Sequence, residues 1–179
     1  RLGVETSLRW NALSWLSLEG NAALSRNRIL DFDEHVEDWD KGERVIHYDN
    51  STLAFSPAAI LNGFIDLHLG GFSAVWHTGF VSRQYLDNTC NEARSLPAYS
   101  TSGLDLKYAF RPSGWAAGIK EILLGCSLGN IFNAHYAASG WVYSAIYESG
   151  GHPDDNRYYQ TGFVPMAGFT AMGSVNVRF

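Results

Sequence analysis

The densest group of side chains capable of chemistry is an acidic run, Asp31, Asp33, Glu34, His35, Glu37, Asp38, Asp40 and Glu43. Carboxylates at this density can hold a cation, but the EF-hand spacing fails. Counting from Asp31, the sixth position, where the loop needs Gly, is Val36, and the twelfth, where it needs Glu, is Gly42. The run is therefore expected to be a solvated loop, with Ca²⁺ binding or substrate contact as the alternatives. His47, His68, His77, His135 and His152 are scattered without metal-ligand spacing. Ser73, His77 and Asp66 make a triad only on paper, because no Gly-x-Ser-x-Gly turn accompanies them. Cys90 and Cys126 form neither a disulfide framework nor a metal pattern, so two unpaired thiols are expected. No catalytic residue, metal ligand or cofactor is expected, and the chain does not read as an enzyme. The remaining candidates are aromatics in long polar connections: Trp39, Tyr48, Trp141, Tyr143, Tyr147, Tyr158 and Tyr159. Their faces could contact a flat or apolar ligand, or could pack on one another within the loops.

The elements that must carry these residues follow from period-two alternation, the mark of a strand with two different faces. Leu2, Val4, Thr6, Leu8 and Trp10 share one side of a first strand, Arg1 to Trp10, opposite Glu5, Ser7 and Arg9. Leu13 to Ser25 alternates more weakly and a helix remains open there, because Asn, Ala, Leu and Glu suit one. Leu53 to Leu69 keeps one apolar face over seventeen residues, longer than an ordinary strand. Phe72 to Arg83, Leu104 to Phe110, Ile122 to Leu128 and Phe169 to Phe179 complete a set of seven. Short joins at Asn11–Ala12, Leu69 to Gly71 and Arg111 to Ala117 alternate with long polar ones at Arg26 to Asn50, Leu86 to Ala98 and Phe132 to Pro165. Consecutive antiparallel strands send alternate connections to opposite ends, so one end has tight turns and the other large loops.

Composition narrows the setting of such a sheet. Of 179 residues, 46% are hydrophobic, 14% aromatic and only 17% charged, so an apolar phase is expected to cover part of the surface. The net charge of −5 and the absence of a basic cluster exclude nucleic acid as a partner. No apolar run approaches the ~18 residues of a transmembrane helix, but membrane strands need no such run. The polar faces are small and mixed, as in a crowded barrel lumen. The apolar faces end in aromatics: Trp10, Trp15, Phe72, Tyr108, Phe110, Trp115 and Phe179 near the short turns, and Tyr85 and Tyr99 near the long loops. These positions imitate two interfacial girdles. The expected fold class is all-β, an antiparallel transmembrane β-barrel segment of about seven strands. An odd count cannot close a bacterial barrel, and a first strand with a bare edge would leave backbone groups unpaired in hydrocarbon. Residues 1–179 are thus expected to be one unit, the C-terminal portion of a larger barrel. A Trp141 to Tyr147 strand paired with Tyr158 to Val164 would leave open a small complete barrel, or a hairpin standing above the sheet. A soluble β-rich binding module is the other alternative.

Particular strings carry a family resemblance: Val81-Ser82-Arg83-Gln84-Tyr85-Leu86-Asp87-Asn88-Thr89, then Gly129-Asn130-Ile131-Phe132-Asn133 with Tyr136, then Gly140-Trp141-Val142-Tyr143. Together they resemble the C-terminal barrel of a TonB-dependent outer-membrane receptor. The family's Asn-Asn-Leu-Phe-Asn is departed from at Gly129 and Ile131. The ending Val175-Asn176-Val177-Arg178-Phe179 is similar to the terminal strand on which the barrel-assembly machinery acts, with Phe179 as its signal. Such receptors form plugged barrels of about 22 strands. The resemblance implies a bacterial outer-membrane location, contact with lipid, and coupling to the TonB complex through an N-terminal plug region absent from this chain. It also implies uptake of a small-molecule or metal-chelate substrate such as a ferric siderophore, haem, cobalamin or a glycan. Trp39, Tyr48, Trp141, Tyr143, Tyr158 and Tyr159 are its candidate substrate contacts.

Overall fold

The computed structural model describes residues 1–114, 118–150 and 156–179; Trp115 and His152 lie outside them. The chain is all-β. Seven strands form one antiparallel sheet: β1 (Leu2–Leu13), β2 (Leu16–Arg26), β5 (Ala59–Leu69), β6 (Phe72–Val81), β9 (Tyr99–Phe110), β10 (Glu121–Gly129) and β13 (Thr170–Arg178), in that spatial order. These are the seven segments that alternate in sequence, and Leu13 to Ser25 is a strand, not a helix. β1 and β13 are the two edges, so the sheet does not close on itself.

Register aligns the alternation across the whole sheet. Trp10 faces Leu18, Leu18 faces Ile65, Ile65 faces Trp76, Trp76 faces Leu104, Leu104 faces Leu128, and Leu128 faces Ala171. Directly paired residues lie on the same side, so the apolar halves of seven strands merge into one face. The described residues leave most of it uncovered. Leu8, Val175 and Leu124 are 73%, 70% and 41% exposed, and Ala74 is the one buried hydrophobic residue among the described residues of this sheet. Trp10, Trp15, Phe72, Tyr108 and Phe179 are exposed at the short-turn end. At the opposite end the expectation of Tyr85 and Tyr99 as a second girdle fails. By register with Val81, Tyr99 stands on the polar side, where it stacks on Tyr136 at 4.4 Å, and Tyr85 is half-buried. Phe132, whose ring meets Trp76 at 5.9 Å on the apolar side, and Phe169, just before β13, are exposed aromatics there.

The connections depart most from expectation. The first short turn is Ser14–Trp15, because Asn11 and Ala12 continue β1 through a bulge. The polar segment after β2 is no loop: β3 (Arg28–Asp38) and β4 (Gly42–Thr52) pair as a hairpin. Hence β4 takes Thr52, 53–58 is a join, and the apolar stretch from Leu53 shortens to the eleven residues of β5. β2–β3 and β4–β5 together make one tall hairpin, kinked where the main sheet ends. β11 (Ala137–Ile146) and β12 (Arg157–Pro165) pair likewise above β10 and β13, as the Trp141–Tyr158 pattern allowed. The two upper halves join through a short parallel contact, Ala145 with Glu37 and Ile146 with Asp38, giving a second sheet ordered β12-β11-β3-β4. Beneath it, the β6–β9 connection carries β7 (Gln84–Tyr85), a short 3₁₀ turn (Glu92–Arg94) and β8 (Ser95–Leu96).

Candidate functional site

The upper sheet has two chemically different faces, both dictated by alternation. The face toward the β6–β9 connection holds Glu34, Val36 and Asp38 from β3, Tyr48 from β4, Gly140, Ser144 and Ile146 from β11, and Arg157 and Tyr159 from β12. Leu86, Leu96, Val36 and Ile146 bury almost completely and form the chain's small core. Gly140 admits this packing, since a Cβ there would stand 3.2 Å from Leu86 Cδ2 and 2.7 Å from the Gly162 carbonyl oxygen.

Charge is buried beside that core. Arg94, 2% exposed, sets Nη1 3.1 Å from Asp87 Oδ2 and 4.0 Å from Glu34 Oε1, and donates from Nη2 to Thr89 Oγ1 at 2.7 Å. Its guanidinium lies 5.9 Å from the Tyr159 ring centre. Arg157, 3% exposed, forks onto Glu34 with contacts of 2.7 and 3.2 Å. The Tyr48 hydroxyl donates to Glu34 Oε2 at 2.9 Å, and burial with this bond raises the Tyr48 pKa. Two arginines against two carboxylates balance the buried charge, the condition under which burial is tolerable. The network ties β3, β4, β11 and β12 to the β6–β9 connection.

The strings that carried the resemblance serve the same purpose. Ser82 Oγ accepts from the Ala59 amide at 3.0 Å, Asn88 Oδ1 from the Ala54 amide at 2.7 Å, and Asp87 meets Arg94. Arg83 pairs with Glu92, which raises its pKa through that bond. In the second string Asn130, at φ +46°, donates to the Ala134 and Ala167 carbonyls and accepts from the Ala134 amide. Asn133 Oδ1 accepts from the Phe169 amide at 2.9 Å. Both side chains hold the kink between the lower and upper halves of the β10–β13 hairpin.

The opposite, outward face gathers Asp31, Asp33, His35 and Glu37 from β3 with Trp39 just past its end, Glu43, Val45, His47 and Asp49 from β4, Trp141 and Tyr143 from β11 with Tyr147 just past its end, and Tyr158 from β12. Four of the six candidate aromatics, Trp39, Trp141, Tyr143 and Tyr158, are therefore brought together. Trp39 packs against Tyr158 at 5.3 Å and Tyr147 at 5.5 Å. Tyr143 donates to Glu37 Oε2 at 2.7 Å, and this bond, with some desolvation, raises its pKa. Trp141 lies over Gly162, where a Cβ would come within 2.2 Å of the indole nitrogen. The other two candidates, Tyr48 and Tyr159, lie in strands β4 and β12 instead of loops and sit on the inner face within the ion network. Phe179 is 75% exposed at the end of the chain, its carbonyl accepting from Lys120 Nζ at 2.7 Å.

The acidic run thus belongs to the β3–β4 hairpin, Asp31 to Asp38 dividing between the two faces of β3, Asp40 in the turn and Glu43 on β4. Glu34 and Asp38 point inward, and Asp38 accepts from the Asp40 and Lys41 amides at 3.0 Å and pairs with Arg44 at 2.9 Å. Burial opposes ionisation of Asp38, but the two amides and the nearby cations outweigh it and hold its pKa below the ordinary value. Asp31, Asp33 and His47 offer donor atoms within 4.8 Å of one another, all exposed. His47 already bonds Asp33 at 2.7 Å and Asp49 at 3.3 Å, and these bonds raise its pKa. Among the described residues no nucleophile, base and acid converge: His77 meets Asp105 at 3.6 Å, and Asp66 pairs with His68 at 2.9 Å. Both cysteines are free. Arg94 and Arg157 were invisible to motif reading, because their partners come from distant segments. No family model, curated protein or solved structure matches the chain.

Proposed function

We propose that the chain is the C-terminal portion of the β-barrel of a TonB-dependent receptor in the bacterial outer membrane. In this reading the seven-stranded sheet is barrel wall, the short turns face the periplasm, and the two tall hairpins stand outside the cell. The observation that carries it is the continuous apolar face across all seven strands, most of it left uncovered by the described residues. Soluble domains rarely expose apolar patches beyond a few hundred Å², whereas lipid covers such a face in a barrel. Strands of 9 to 12 residues suit the ~9–11 of a tilted membrane strand. The edges of β1 and β13 pair with further strands in the complete wall, since bare edges are untenable in hydrocarbon. The parent protein takes up a small-molecule or metal-chelate substrate with energy relayed by the TonB complex, and the barrel-assembly machinery engages β13 and Phe179. The chain has no catalytic part in this.

Site-directed spin labels test the wall. In protein with Cys90 and Cys126 replaced, labels at Leu8 and Val175 should collide with oxygen dissolved in lipid. Labels at Ser7 and Ser174, one residue away, should collide instead with a water-soluble nickel complex. Equal aqueous access at all four positions, or recovery as a water-soluble protein, would overturn the reading. Uptake is tested genetically: deletion of the gene should reproduce, for one nutrient, the growth defect of a strain lacking TonB.

A further inference from the structure

We propose that the outward face of the upper sheet docks a basic polypeptide segment, one bearing arginine or lysine, from a partner protein. The face exists whether or not the lower sheet lies in a membrane, so this proposal stands apart from the one above. Asp31, Asp33, Glu37, Glu43 and Asp49 stand on it with His35 and His47, and among the described residues no lysine or arginine does. The nearby cations are spent elsewhere: Lys41 pairs with Glu148, and Arg44 with Asp38 on the inner side. An acidic ligand would meet five carboxylates, and a second copy would present the same charge, which excludes self-association through this face.

Beside the carboxylates lies an aromatic half. Trp39, Trp141, Tyr143 and Tyr158 are 47%, 52%, 41% and 38% exposed, so that despite their packing on one another each presents ring surface to solvent. Carboxylates next to exposed indole and phenol faces are the complement of a guanidinium, which forks onto the first and stacks on the second. Shape then chooses between a small cation and a chain. A small ligand needs a concavity that buries most of its surface. Here a hollow of about 650 Å³ along His35, Glu37, Trp39 and Glu43 opens widely to solvent beside a flat sheet. At ~4.8 Å between strands and ~3.3 Å per residue, the face measures roughly 14 by 25 Å. That is less than half of the ~800 Å² a standard interface takes per partner, and it accommodates an extended segment of about eight residues. The buried Arg94–Glu34–Arg157 network beneath fixes the backbone, so little is lost to ordering on docking.

The test is titration of the full chain with four probes: a peptide alternating Arg and Ser, the same peptide with Glu for Arg, tetramethylammonium, and Ca²⁺. The arginine peptide should bind and quench tryptophan fluorescence, weakening about tenfold between low and moderate salt as expected for exposed charges. Glu43→Gln and Asp49→Asn, both on exposed β4 positions, should each weaken it several-fold. Trp39→Leu should weaken it about tenfold. The proposal is overturned if the glutamate peptide binds equally well, if tetramethylammonium or Ca²⁺ matches or displaces the arginine peptide, or if the wild-type chain binds none of the probes.

Discussion

Arg94 shows most plainly how a single residue organises the chain. Its guanidinium reaches Asp87, Thr89, Glu34 and the Tyr159 ring, groups from the β6–β9 connection, β3 and β12. Removing one partner of a buried ion network leaves the others uncompensated, at a cost of about 3–5 kcal/mol. Arg94→Met should therefore loosen the upper sheet by about that amount while the lower sheet persists, seen as faster amide exchange in β3 and β11 and unchanged protection in β5 and β6. Equal loosening of both sheets would show that the network is not local to the upper one. His47 makes a second prediction at this scale. Its bonds to Asp33 and Asp49 raise its pKa, so the stabilisation it lends the β3–β4 hairpin is fully present below the ordinary histidine value of 6.5. The contribution fades as pH rises through the raised value. NMR titration of the His47 ring should give a midpoint above 6.5 that falls back toward it in Asp33→Asn. An unchanged midpoint in that variant would remove Asp33 as the cause.

Elements were legible where their two faces differ in polarity. β1 alternates Leu, Val, Thr, Leu and Trp with Glu, Ser and Arg, and nothing interferes with the period. β3 hid because charge occupies both its faces: Asp31, Asp33 and Glu37 point outward, while Glu34 and Asp38 are satisfied inside by Arg157, Arg44 and backbone amides. A tertiary network thus makes a strand out of a sequence that reads as a solvated loop. The outward aromatics were legible as a group but not as a surface, since the face depends on the register that brings β11 beside β3. The kinks between the halves depend on single side chains. Asn130 occupies a left-handed conformation that asparagine tolerates better than most residues, and its amide serves three backbone groups. Asn130→Ala should cost about 1–3 kcal/mol through those unmet groups. Asn130→Gly, which relaxes the backbone but not the hydrogen bonds, should recover only part of it. Heat-induced unfolding monitored by circular dichroism checks the order wild type, Gly, Ala; an alanine variant as stable as wild type would deny the side chain this role.

At the scale of the whole molecule, the two larger sheets differ in how their apolar residues are covered. The upper one buries a compact core of Leu86, Leu96, Val36 and Ile146 and meets water with charge. The lower one has no comparable core, so in water its apolar face would be a loss, and its stability has to come from whatever medium covers that face. This places a charge substitution under opposite expectations on the two sides of one strand pair. Leu124, on β10 beside Val175, projects from the uncovered apolar face, whereas Asn176, on β13, projects from the polar one. If lipid is the cover, Leu124→Arg should destabilise the protein by about 2–4 kcal/mol near the bilayer midplane, while Asn176→Arg should stay within about 1 kcal/mol. Urea unfolding in vesicles of the complete protein measures both. The contrast also discriminates the media: on a face open to water, arginine in place of a 41% exposed leucine would be nearly neutral, and the difference between the two variants would vanish.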